Sequence, residues 1–204
     1  MSNVIIDGPQ DAEKVFIFAH GAGAGSDHEF MQTVAEQVAA AGIKVVRFDF
    51  PYMVRMKQEA RRLPPNRMPQ LLAAFTEVIE QYGQDQCFIG GKSMGGRMAS
   101  HLTEHAAVQG VVMLGFPFHP VGKPERLKGE HLASLSKPAL LIQGERDTMG
   151  TQTQVASYDL SATIEQRFLV DGDHSFKPRK ASGFTQSEHI ATAAQWLVDF
   201  IHAH

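Results

Sequence analysis

The sequence predicts an α/β fold: a three-layer α/β/α sandwich around a mostly parallel sheet of about six to seven strands. Two observations carry this expectation. Short runs rich in Val, Ile, Leu and Phe alternate with longer segments whose apolar residues recur at helical spacing. Most of the short runs also lack polar alternation, which suits strands covered on both faces. The 204-residue length adds a third: it suits one domain with room for a proper core, and no linker divides it.

The strands are expected at 15–19, 44–48, 86–89, 110–114, 138–142 and 165–170, with 4–7 as a candidate edge strand. Helices are expected at 29–41, 70–82, 95–107, about 151–158 and 187–203. Ser26-Asp27-His28-Glu29 has the spacing of a capping box before the first helix. Gly42 and Gly83 stand where left-handed caps would close the first two helices. In the last helix, Ile190, Ala193, Ala194, Leu197, Val198 and Ile201 form a stripe expected to pack on the core, with Trp196 beside it.

Composition excludes several classes. Apolar residues make up 43% and charged residues 20%, an ordinary globular mixture. No run of eighteen apolar residues marks a membrane span, and the first ten residues hold no base, unlike a secretory leader. A single cysteine, Cys87, cannot close an internal disulfide, so a reducing, cytoplasmic setting is expected. Neither a nucleic-acid nor a membrane partner is indicated, and the oligomeric state is left open.

Ligands of open parallel sheets bind beyond the carboxyl ends of the strands. Those positions hold His20-Gly21-Ala22-Gly23-Ala24-Gly25, Asp49-Phe50-Pro51-Tyr52, Gly91-Lys92-Ser93-Met94-Gly95, Gly144-Glu145-Arg146-Asp147 and Asp171-Gly172-Asp173-His174. The third is a G-x-S-x-G between a strand and a helix. Its glycines leave room for a sharp turn that lifts the serine above the sheet edge. A serine hydroxyl is a poor nucleophile without a base, and the base needs an acid to orient it. His174 is the base expected among the ten histidines, since it follows the last strand in a polar turn. Asp147 is the expected acid; Asp171 and Asp173 share a turn with His174 and suit structural capping better. The oxyanion would be held by the N–H of Met94 and one from the glycine-rich loop, Ala22 first and Gly23 next.

With these residues in place, the chain resembles the α/β-hydrolases over essentially its whole length. The resemblance rests on His20-Gly21 before the oxyanion loop, the Ser93 elbow, Asp147 and His174 in that strand order. More narrowly, residues 20–31, 90–96, 144–150 and 171–177 resemble a small lidless subgroup similar to dienelactone hydrolases. It implies cleavage of a small carboxylic ester or thioester through an acyl-enzyme, with no metal and no cofactor. The alternative from another class is a scaffold that keeps the fold with little catalysis.

Competing motifs carry less. His101-Leu102-Thr103-Glu104-His105 has inverted zinc-peptidase spacing, but its helix would turn both histidines from the strand-end rim. A P-loop would need glycine at position 86, which is Gln86. Gly21, Gly23 and Gly25 have one residue too few for a dinucleotide loop.

Phe50, Tyr52, Phe116, Phe118, Met149 and Phe176 are expected to line an apolar acyl pocket, as is Met53, with Lys177 at its edge. The short segment 116–137 predicts a missing lid and an open or shallow site for short acyl groups. Loops 52–69, 119–137 and 175–183 carry 12 of the 19 Lys and Arg and three of the 22 Asp and Glu. Arg55, Arg61, Arg62, Lys123, Arg126, Lys177, Arg179 and Lys180 would form a basic rim that steers an anionic ester substrate.

Overall fold

The computed structural model describes residues 3–204. Seven strands form one sheet: β1 (Val4–Asp7), β2 (Val15–Ala19), β3 (Lys44–Phe48), β4 (Cys87–Lys92), β5 (Val108–Leu114), β6 (Ala139–Gly144) and β7 (Ile164–Leu169). Their spatial order is β1-β3-β2-β4-β5-β6-β7. All pairs are parallel except β1 with β3, so the expected edge strand is antiparallel. The order reverses between β2 and β4, where Ala19 lies opposite Gly91. That switch point opens a crevice at the strand ends, and the two glycine-rich turns meet there.

Helices α1 (Glu29–Ala40) and α6 (Gln186–Ala203) cover one face. Met31, Val34 and Val38 pack with Ile190, Leu197 and Ile201 over Phe16, Phe18, Phe88, Leu114 and Ile142. The opposite face carries α2 (Pro51–Glu59), α3 (Met68–Tyr82) and α4 (Met94–Ser100). There Tyr52, Leu71, Phe75, Ile79 and Met98 pack over Ile17, Ile89, Val111, Met113 and Leu141. Adjacent strand residues therefore feed opposite cores, and both sides of each central strand must be apolar. The C-terminal stripe packs as expected.

Several local expectations need correction. Helix α2 occupies a stretch read as a loop; Pro51 stands at its first turn, where its missing N–H costs nothing. Helix α4 ends at Ser100 rather than near residue 107, and α5 is only Gln152–Val155. Beyond Ser100 the chain coils in turns, and Lys137 Nζ donates to the carbonyls of His105 (2.9 Å) and Val108 (2.6 Å). Ser26 caps nothing: its N–H donates to Asp49 Oδ1, and His28 is the N-cap of α1. Gly42 takes the expected left-handed conformation, whereas Gly83 has φ −74° and the positive φ falls on Gln84. A Cβ at Gly83 would lie 2.6 Å from the Ile79 carbonyl oxygen, so this glycine answers to close packing.

Candidate active site

The sharp turn between β4 and α4 is built by exclusion. A Cβ on Gly91 would stand 2.4 Å from the Gly95 carbonyl carbon, and one on Gly95 would stand 2.3 Å from the Ala19 carbonyl oxygen. Backbone on both sides leaves no side chain to yield, so only glycine fits. Gly96 is constrained too, since a Cβ there would stand 2.7 Å from the Gly91 oxygen, and nothing in the sequence motif marks it. Between them Ser93 takes φ 52°, ψ −115° at the start of α4. A non-glycine residue held there stores strain, and the surrounding packing must impose it.

Ser93, His174 and Asp147 come together from three strand ends. Ser93 Oγ lies 2.9 Å from His174 Nε2, and His174 Nδ1 lies 2.7 Å from Asp147 Oδ2. The carboxylate can only accept, so the imidazole proton sits on Nδ1 and Nε2 is free to accept from the serine. Asp147 is fully buried and satisfied on both oxygens: Oδ1 takes the Met149 N–H (2.8 Å), and Oδ2 also takes Gln143 Nε2–H (2.9 Å). Gln143 further donates to the carbonyls of Phe116 and Gly150 and accepts the Phe116 N–H. It ties the acid to the neighbouring loop. Sequence reasoning missed it because a polar residue inside a buried strand was its only signal.

Asp171 and Asp173 do not reach the imidazole. Asp173 Oδ1 accepts the N–H groups of Ser175 (2.8 Å) and Lys177 (3.0 Å), capping the turn that carries His174. Asp171 holds the Arg179 guanidinium, which pulls its carboxyl down to about 2.

The glycine-rich loop faces Ser93 across the crevice. His20 is buried, donates from Nδ1 to the Gly21 carbonyl and accepts the Phe50 N–H at Nε2, an arrangement only the neutral ring can make. Burial lowers its pKa accordingly. The Tyr52 hydroxyl donates to the carbonyls of Gly21 (3.2 Å) and Ala22 (3.0 Å). Among the described residues, the N–H groups of Ala22 and Met94 have no acceptor.

Residues 12–202 match the profile of a family described as an alpha/beta hydrolase domain. The chain belongs to the α/β-hydrolases. No curated protein matches it closely. Among solved structures, Est1E from Butyrivibrio proteoclasticus with ferulic acid bound is 15% identical and superposes with TM-score 0.73, covering 98% of this chain and 96% of that one. Dienelactone hydrolase from Anabaena variabilis is 20% identical with TM-score 0.73, covering 98% and 91%. An alpha-beta serine hydrolase homologue from Coxiella burnetii is 18% identical with TM-score 0.69, covering 96% and 89%. These likenesses establish the fold.

Two clefts of the α/β-hydrolase meet at Ser93, sharing Ala22 and Met149. The larger, about 520 Å³, also holds Gly23, Phe30, Lys92 and His174; the smaller, about 300 Å³, extends over Met94, Arg97, Pro117 and Lys128. Of the expected acyl-pocket residues only Met149 lines them. Phe50, Phe116, Phe118 and Phe176 are fully buried, and Tyr52 and Met53 nearly so. These residues follow the strand ends but turn inward: Phe50 packs on Phe48 and Phe75, Phe118 on Phe116 and Tyr158, and Phe176 on Phe30. Apolar rings gain more from the core than from a wet cleft. Lys177 stands exposed and lines neither cleft.

Part of the expected basic rim is paired with acids. Arg55 and Arg61 both pair with Glu59, Lys57 bridges Asp27 and Asp49, and Arg179 is held by Asp171. The inverted zinc-peptidase residues are engaged separately. The His101 ring stacks 3.7 Å from that of His131, Glu104 accepts from Ser136, and His105 accepts the Ala107 N–H.

Lys92, the residue before the serine, is shut in between Phe30 and Phe176, and its Nζ donates to the His174 carbonyl (2.6 Å). Burial pushes its ammonium down to about 8, although Asp147 and Asp173 pull the other way. The folded protein therefore releases this proton before the unfolded chain does. The buried charge costs stability below pH 8, and that cost is relieved as pH rises from about 8 towards the ordinary lysine value of 10.5. Urea unfolding at pH 8 and pH 10 should show wild type gaining stability relative to Lys92→Met; equal pH dependence would reject the assignment.

Proposed function

We propose that this protein hydrolyses small carboxylic esters or thioesters through an acyl-enzyme on Ser93. The observation that carries the reading is the unbroken hydrogen-bond chain from buried Asp147 through His174 to Ser93 at the crevice. Ser93 Oγ attacks the substrate carbonyl carbon while His174 Nε2 takes its proton, and Asp147 stabilises the imidazolium without itself being protonated. The oxyanion is received by the free N–H groups of Met94 and Ala22 at the positive end of α4. His174 then returns the proton to the departing alcohol or thiol. Water, deprotonated by the same imidazole, attacks the acyl carbon and releases the acid and Ser93.

Clefts of about 300 and 520 Å³ have room for a small ester. Residues 116–137 contribute a turn of 3₁₀ helix, Glu130–Ser134, where a lid would be inserted. A single domain that works in the cytoplasm as a cofactor-independent enzyme fits this reading. The test is labelling with a fluorophosphonate, compared between wild type and Ser93→Ala alongside hydrolysis of p-nitrophenyl acetate. Labelling and turnover that both require Ser93 support the proposal; labelling elsewhere, or none, rejects it.

Tyr52 acts here as a positioning residue, since its hydroxyl anchors the loop whose Ala22 N–H receives the oxyanion. Tyr52→Phe keeps the buried ring and frees that loop. Misplaced donors weaken the transition state more than the ground state, so kcat is expected to fall about tenfold with KM little changed. Steady-state kinetics check this; a change confined to KM would show that Tyr52 only shapes the pocket.

A further inference from the structure

Among the described residues, Arg97 is the one guanidinium at the Ser93 crevice. It sits one helical turn beyond the serine on α4 and lines the smaller cleft with Met94, Met149 and Lys128. Among the described residues its buried Nε has no hydrogen-bond partner, and its Nη2 meets only the Met68 sulfur at 3.9 Å. The wall of this cleft contains no Asp or Glu among the described residues, and neither Arg97 nor Lys128 forms an ion pair there. The groups that feel the Arg97 charge are His101, Lys128 and His131, all bases. His131 is kept neutral, its pKa pushed down to about 4 chiefly by burial.

A half-buried guanidinium with an unpaired Nε is expensive, and a Met or Leu would fill the same apolar wall without that cost. Its planar fork matches a carboxylate in two-point contact, and Lys128 adds a second charge from the facing loop. We propose that the smaller cleft is a carboxylate-binding subsite, so that the preferred substrate is an ester or thioester carrying a free carboxylate. Arg97 is then the specificity-determining residue. The inference rests on the hydrolase reading for the ester chemistry. Four residues of helix advance about 6 Å along α4, a separation that about three methylenes between carbonyl and carboxylate can span. The sequence concentrates its basic excess in the rim loops, whereas this charge stands on the helix that carries Ser93.

Binding to Ser93→Ala protein, which cannot turn substrate over, separates this proposal from the hydrolase reading. Monomethyl glutarate is compared with methyl pentanoate, and 4-acetoxybutanoate with butyl acetate, by isothermal titration or ligand-observed NMR. The pairs place the charge on the acid side and on the alcohol side of the ester. At least one charged member should bind about tenfold more tightly than its neutral counterpart. That advantage should disappear when Arg97→Met is added, and fall about threefold with Lys128→Gln, a surface change that leaves the core untouched. Equal binding within both pairs overturns the subsite, as does an advantage unaltered by Lys128→Gln and by a folded Arg97→Met. A charge preference found without Ser93-dependent turnover in wild type would keep the subsite and reject the hydrolase reading.

Discussion

Replacing Ser93 with alanine is expected to lower kcat for a short-chain ester by about 10⁴-fold or more. The residual rate would come from the oxyanion donors and from binding, both of which survive the change. Alanine keeps the strained φ of 52° and adds no atoms, so the fold should be retained; circular dichroism and a thermal melt would confirm that the loss is chemical. KM should move little, because the hydroxyl contributes to bond formation rather than to substrate binding. Near-wild-type turnover in a folded Ser93→Ala protein would mean that another group performs the reaction.

Asp147→Asn should be almost as damaging, for a different reason. Three N–H donors converge on this carboxylate: Met149 on Oδ1, and Gln143 and His174 on Oδ2. Asparagine offers one oxygen and one NH₂, so in either orientation a donor faces a donor. With the NH₂ towards His174 the imidazole must carry its proton on Nε2, where it can no longer accept from Ser93. A fall in kcat of about 10⁴-fold is expected from this tautomer change. Facing donors inside a buried site should also cost about 1–3 kcal/mol of stability. Nitrogen-15 NMR of His174 reads the tautomer directly, and a ring still protonated at Nδ1 with full activity would contradict the argument.

Much of the site was legible because its constraints are local. A glycine two places before and two after a serine, between a β-type run and a helical run, describes a turn that geometry allows for few other residues. The close approaches of Gly91 and Gly95 to the backbone of β2 and α4 supply the reason. The positions of Asp147 and His174 followed from counting strands, since parallel strands all end on the same side. Gln143 was not legible in this way. A glutamine inside an otherwise apolar strand marks a polar need, but not which group it serves.

The misread residues share a cause. Phe50, Phe116, Phe118 and Phe176 occupy the correct sequence positions for a pocket, yet a strand end says only where the backbone emerges. Whether a ring then turns to the core or to the cleft depends on partners distant in sequence, such as Phe75 and Tyr158. Charge behaves likewise: Arg55 and Arg61 share Glu59, and Arg179 shares Asp171 with Arg146. Nothing in the sequence marks Arg97, whose buried Nε has no partner among the described residues.

By itself the sequence determined the α/β/α layering, the mostly parallel run of strands on either side of the Ser93 turn and the identity of the residues that meet there. Those follow from periodicity and from glycine, which act over a few residues at a time. Only the tertiary structure decided which aromatic rings are core, which cations remain unpaired, and that the crevice divides into two clefts. Each of those depends on what surrounds a side chain once distant segments have packed, and burial and pairing are properties of the packed whole.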